Sequence, residues 1–244
     1  MLPPLQHRQP IFNVPGVVLW LLGTFVAVHI LRLTLSPAQD LRFTLAMAFI
    51  PARLAGDASG LPGGQLAAAT AFITHLFIHG DLTHLLINSA WLLAFGSPVA
   101  RRIDALRFLS FFFLTGAIGA SAYWLLNGAV LVPVVGASGA ISGLMGASFR
   151  FLFRGMARAG VDPMGMQGVP LMSLAEALRD RRVLVATAVW TVLNGLQAWG
   201  AGILTEAAGI AWEAHLGGFY SGLLLYGWFE PVPPAAGSDA APAC

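Results

Sequence analysis

Ser138 stands in the run Gly136-Ala137-Ser138-Gly139, after Pro133 and before the small residues Ala140, Ser142, Gly143 and Gly146. That pattern places the serine at the N-terminus of a helix. Backbone N–H groups without intrahelical acceptors and the positive end of the dipole can hold an oxyanion there, and the glycines let a substrate backbone come close. A serine that only caps its helix carries the same local signature. His215, in an apolar stretch with Gly217, Gly218 and Gly222, is a candidate base. The Gly218 to Gly222 interval is a small-residue face, and pressed against the small face that follows Ser138 it would bring imidazole and hydroxyl together. The alternative is a histidine hydrogen-bonded to a neighbouring helix.

His84 and Asn88 are four residues apart, so on a helix they project from one face. An imidazole and a carboxamide so placed can donate to a developing oxyanion. His75 and His79 share the spacing that zinc sites use, but no His-Glu-x-x-His pattern or carboxylate companion accompanies them, so no metal site is expected. Glu213 lies two residues from His215 and faces elsewhere on a helix. A structural or interfacial role is expected for it.

These residues must be positioned by elements built for lipid. Of 244 residues, 57% are hydrophobic and 10% charged, a balance far from that of a soluble globular protein. Apolar runs near bilayer-crossing length lie at about Pro15 to Leu35, Leu82 to Ala100, Ala105 to Asn127, Ser138 to Phe153, Arg182 to Gly202 and Ile210 to Phe229. The expected fold class is therefore all-α, a polytopic bundle of six transmembrane helices. The fourth run is short, as for a helix that starts below the membrane surface. All thirteen basic residues are arginines flanking apolar segments, which excludes a nucleic-acid surface.

Ten arginines (Arg8, Arg101, Arg102, Arg107, Arg150, Arg154, Arg158, Arg179, Arg181 and Arg182) fall on one side of this layout and three (Arg32, Arg42 and Arg53) on the other. The positive-inside rule then puts both termini in the cytoplasm. The expected organisation is a cytoplasmic segment 1–14, a six-span domain 15–229 and a disordered Pro- and Ala-rich tail 230–244. The first apolar run lacks a small-residue cleavage site and reads as a retained span. Cys244 alone can form no intramolecular disulfide and stands in no prenylation box. In the first outer loop, Ser36 to Asp81, the stretch Leu66 to His79 reads as an interfacial helix; the inner connection Gly155 to Arg181 reads as mobile.

Taken together, His75-Leu-Phe-Ile-His79-Gly-Asp-Leu-Thr-His84-Leu-Leu-Ile-Asn88, Phe95-Gly96, Gly136-Ala137-Ser138-Gly139 and Ala214-His215-Leu216-Gly217-Gly218, in this order on those spans, resemble the rhomboid family of intramembrane serine proteases. The resemblance runs from about the first span to Phe229. It implies a rhomboid-like bundle and a serine-type endopeptidase that cleaves transmembrane segments of membrane-protein substrates in the lipid bilayer. Ser138 would be the nucleophile and His215 the general base, with His84, Asn88 and the Ser138 backbone N–H as the oxyanion hole. It implies no cofactor, metal, nucleotide or third triad acid, and a bacterial inner (plasma) membrane is the expected location.

Three positions depart from the family pattern. Many members carry a Tyr four residues after the nucleophile, stacked on the catalytic histidine, where this chain has Ser142; another partner must orient His215. The Trp-Arg pair of the first outer loop is missing, and Ala100 stands for a Glu that often follows Phe-Gly. The rival readings are a catalytically silent rhomboid-like protein that binds transmembrane clients, whose members typically lose the Ser or His kept here, and a small transporter. A transporter would call for internal repeats and paired broken helices, and the sequence has neither.

Overall fold

A computed structural model describes residues 14–56, 60–157, 168–200 and 211–230. The expected segment 1–14, apart from Val14, and the tail beyond Glu230 lie outside the described residues. Ten α-helices follow one another among the described residues: α1 (Gly16–Leu33), α2 (Pro37–Met47), α3 (Gly64–Thr74), α4 (Leu82–Trp91), α5 (Ser97–Ala100), α6 (Ala105–Asn127), α7 (Ser138–Met156), α8 (Leu174–Ala177), α9 (Arg181–Gly200) and α10 (Trp212–Leu225). Among the described residues no strand occurs, only one antiparallel bridge between Phe49 and Val134.

Among the described residues three segments, Gly16–Leu33, Leu82–Ala100 and Ala105–Asn127, are long and apolar enough to cross a membrane. They face outward with exposed Leu19, Trp20, Ile30, Leu86, Ile87 and Leu125, which lipid but not water accommodates. Helices α7, α9 and α10 occupy the remaining expected runs. α7 owes its weaker hydropathy to its place: Gly139 through Phe151 are all buried, so small and polar residues replace the lipid-facing ones.

The second apolar run is one rod in three pieces. A π-helical turn at Leu92–Gly96 joins α4 to α5. Pro98, in the first turn of α5, has no N–H to donate and would clash with the carbonyl four residues back, and a wide turn relieves both.

Glycine contacts set the centre of the bundle. A Cβ at Gly218 of α10 would stand 1.9 Å from the Gly139 carbonyl oxygen of α7, and one at Gly222 would stand 2.0 Å from that of Gly143. On the third side, a Cβ at Gly119 of α6 would come within 2.6 Å of the Ala214 carbonyl oxygen. Only residues without side chains let three backbones approach so closely.

The first outer loop is more structured than the single expected helix. α2 precedes α3, held by a capping box between Ser36 and Gln39 with Pro37 at its first position. Arg32 of α1 pairs with Asp40 of α2 at 2.6 Å. Buried Arg53 donates to the carbonyls of Leu45 (2.6 Å) and Pro62 (2.8 Å). The inner connection, expected to be mobile, is docked where it is described. Arg150 donates to the Met172 carbonyl at 2.8 Å, and Met172 N–H returns a bond to the Arg150 carbonyl at 2.9 Å. Arg102 binds Glu230 and the Val169 carbonyl. A buried guanidinium must have its donors satisfied, and these carbonyls hold the connection in place.

Candidate active site

Ser138 is the first residue of α7, and Ala137 is the cap. Its hydroxyl does not cap the helix; it lies 2.8 Å from Nε2 of His215. The turn before it is stitched to the first outer loop. Phe49 and Val134 exchange backbone bonds of 3.0 and 2.8 Å, and Gly136 N–H donates to the His75 carbonyl at 2.9 Å. Gly136 takes φ +112°, a conformation that glycine adopts at little cost.

His215 sits in the first turns of α10, whose register against α7 is set by Gly218 on Gly139. Both Ser138 and His215 are half-buried. The second ring nitrogen, Nδ1, lies 2.9 Å from Oδ1 of Asn194 on α9. The Trp190 ring, one turn earlier on the same helix, is 6.5 Å from the imidazole at an interplanar angle of 33°. Ser142, at the position where many rhomboids stack a Tyr, turns its hydroxyl to the Ser138 carbonyl at 2.7 Å. It makes no bond to His215.

His84 flanks the same turn, since a Cβ at Gly136 would stand 2.7 Å from its Nε2. Its Nδ1 accepts the Gly80 N–H at 3.3 Å, so in the neutral ring Nε2 carries the proton and is a donor toward the Gly136–Ser138 turn. Asp81 caps α4 through the His84 N–H at 2.7 Å. Asn88, one turn on and buried, donates to the His84 carbonyl at 2.9 Å, leaving a second amide proton to give.

The other candidates make contacts away from Ser138 and His215. His75 bonds the Ala71 carbonyl through Nδ1 at 2.6 Å. The His79 ring is wedged between Phe25 (centroids 5.0 Å apart) and His84 (5.2 Å). Among the described residues no group of three His, Cys, Asp or Glu could hold a metal ion. Glu213 accepts from Asn127 at 2.9 Å, joining α10 to α6.

Asn194 and Trp190 escaped the reading of the sequence. The signal was available: an asparagine inside an apolar span is costly and demands a partner.

Residues 66–230 match the Rhomboid domain. The chain therefore belongs to the rhomboid family, and with its apolar helices it is an integral membrane protein. No individual curated protein matches it.

Proposed function

We propose that this protein is an intramembrane serine endopeptidase that cleaves transmembrane segments of other membrane proteins with Ser138 as nucleophile and His215 as general base. The reading rests above all on the 2.8 Å contact between His215 Nε2 and Ser138 Oγ. A histidine placed for packing has no reason to meet the first hydroxyl of another helix, whereas a base must.

In the proposed reaction the Ser138 oxygen attacks the scissile carbonyl while His215 Nε2 takes its proton. The negative charge that develops on the carbonyl oxygen is held by His84 Nε2–H, the free Asn88 amide proton and the Ser138 backbone N–H, which has no intrahelical acceptor at the first position of α7. Collapse breaks the peptide C–N bond, and His215 returns the proton to the leaving amine. Water, activated by the same imidazole, then hydrolyses the acyl-enzyme. Half-burial of both side chains fits a site that must admit water within a lipid-embedded bundle.

The proposal includes a bundle of six spans, 15–229, with both termini cytoplasmic in the inner membrane of a bacterial cell. α7 and α10 would cross in the protein interior rather than against lipid.

Labelling with a fluorophosphonate, which reports a serine that has both a base and an oxyanion hole, tests the function. The wild type should label at Ser138; Ser138→Ala should not label, and His215→Ala should lose nearly all reaction. Folded wild-type protein that stays unlabelled would favour the silent client-binding reading. Full labelling of His215→Ala would mean another base serves Ser138.

A further inference from the structure

We propose that Asn194 is the positioning residue of His215: its amide oxygen accepts the Nδ1 proton, fixes the imidazole as the tautomer with a free lone pair on Nε2, and aims that lone pair at Ser138. The proposal rests on the reading of Ser138 and His215 as nucleophile and base. In this chain the task falls to α9, because Ser142 is bonded to the Ser138 carbonyl and supplies nothing to the ring.

The direction of the Asn194–His215 bond follows from the other end of the amide. Asn194 Nδ2 lies 2.9 Å from the Trp190 carbonyl, one turn back on α9. A carbonyl only accepts, so the NH₂ group must face it and Oδ1 must face His215, 2.9 Å from Nδ1. An oxygen that only accepts requires a proton on Nδ1. A neutral imidazole has one N–H, so Nε2 is left unprotonated opposite Ser138 Oγ. With the proton on Nε2 instead, the ring would be a donor toward the serine and could not act as its base.

Asn194 is 1% exposed, so water does not compete for its oxygen. A neutral amide does here what a carboxylate does in soluble triads, without burying a charge at membrane depth. Trp190 covers the imidazole beside this bond. Thr191 and Tyr220, 2.7 Å apart through their hydroxyls, form a second polar bridge between α9 and α10. The orientation of the base therefore depends on α9 staying docked on α10.

The experiment uses the full chain in detergent and a fluorophosphonate as probe, separating the maximal labelling rate from the probe's half-saturating concentration. Asn194→Leu keeps the volume and removes the acceptor. It should lower the maximal rate about tenfold or more, as loss of a bond that selects a tautomer does, and leave half-saturation unchanged. Asn194→Asp keeps an oxygen acceptor at Nδ1 and should label far faster than Asn194→Leu. In wild-type protein with ¹⁵N-imidazole histidines, the His215 signals, assigned by their loss in His215→Ala, should show a protonated Nδ1 and a bare Nε2.

A wild-type rate in Asn194→Leu, an Asn194→Asp as slow as Asn194→Leu, or a wild-type spectrum with the proton on Nε2 overturns the positioning role. If Asn194→Leu does not fold, the wild-type spectrum decides, and it reads the tautomer whether or not the serine reacts. Labelling that needs His215 but ignores Asn194 defeats this inference alone. Labelling that ignores His215 defeats the Ser–His reading beneath it.

Discussion

Gly218 and Gly139 meet so closely that a Cβ on the former would stand 1.9 Å from the carbonyl oxygen of the latter. Gly139 follows Ser138, and Gly218 lies about one turn after His215. Contact between these two glycines therefore sets the register that brings the imidazole to the hydroxyl. Gly218→Ala must push α10 off α7, with an expected loss of about 1–3 kcal/mol and of most fluorophosphonate labelling. Gly23→Ala on α1 meets nothing within 4 Å and should change neither. Unfolding midpoints in detergent and labelling rates check both variants; a stable, fully reactive Gly218→Ala protein would show that this contact does not set the register.

Gly136 serves the other half of the site. Its φ of +112° disfavours any side chain, and a Cβ there would stand 2.7 Å from His84 Nε2. Gly136→Ala should cost about 1–3 kcal/mol in backbone strain and displace His84, with reduced labelling. Gly128, at φ +68° with open space around it, separates the two effects: Gly128→Ala should lose stability yet label as wild type.

The bundle was legible in the sequence where apolar runs end on clear signals. α6 begins after Asp104, which caps it, and ends at Gly128, so its bounds follow from residue types alone. α7 runs three residues past its expected end at Phe153 because the apolar run stops at Arg154 while the helix continues through it, with Arg154 paired to Glu176 at 3.0 Å. α2 was missed because it is short and polar, although its capping box, Ser36 with Gln39, was in view. At the candidate site, Ser138, His215, His84 and Asn88 were readable as residue types in motifs. Asn194 stands in no motif: its cost inside an apolar span signals that it needs a partner, but that the partner is His215, 21 residues away on another helix, follows only from the packing of α9 on α10.

The loop that carries α2 should loosen in acid. The hydrogen bond from Arg32 holds the Asp40 carboxyl below the usual carboxylate range. A group titrating lower in the folded state contributes in full above its unfolded value, about 4, and loses that contribution as pH falls through the lowered folded value. Asp40 is partly exposed, so solvent screens the pair and the effect is small. Amide exchange across Pro37–Met47, corrected for intrinsic rates, should speed up in acid and already be fast in Asp40→Asn at neutral pH. Equal protection at both pH values would detach α2 from this ion pair.

Contacts at one end of the bundle bring together the ends that the count of ten arginines against three assigns to one side. Arg102 reaches Val169 and Glu230, and Arg150 holds Met172, so the second, fourth and last apolar runs end on the same side as the inner connection. Reporter fusions after Arg102 and after Gly155 should read cytoplasmic, and fusions within 36–81 should read external. A cytoplasmic signal from the first outer loop would invert the topology and place Ser138 on the inner face.

Asn88 offers the sharpest test of the oxyanion hole, because its loss should harm chemistry more than folding. Its side chain is 3% exposed and spends one amide proton on the His84 carbonyl of its own helix. That leaves one proton for an oxyanion and no long-range bond that holds the bundle together. Removing a donor of this kind costs about 10²- to 10³-fold in rate, or roughly 3–4 kcal/mol at the transition state. A small buried side chain trimmed to Ala costs far less in stability, on the order of 1 kcal/mol. Asn88→Ala should thus unfold near the wild-type midpoint while labelling at least a hundredfold more slowly. His84→Ala should slow labelling too, through loss of Nε2–H, and would also free the Gly80 N–H from its 3.3 Å bond to Nδ1. A well-folded Asn88→Ala protein that labels like wild type would assign the oxyanion to His84 and the Ser138 backbone N–H alone.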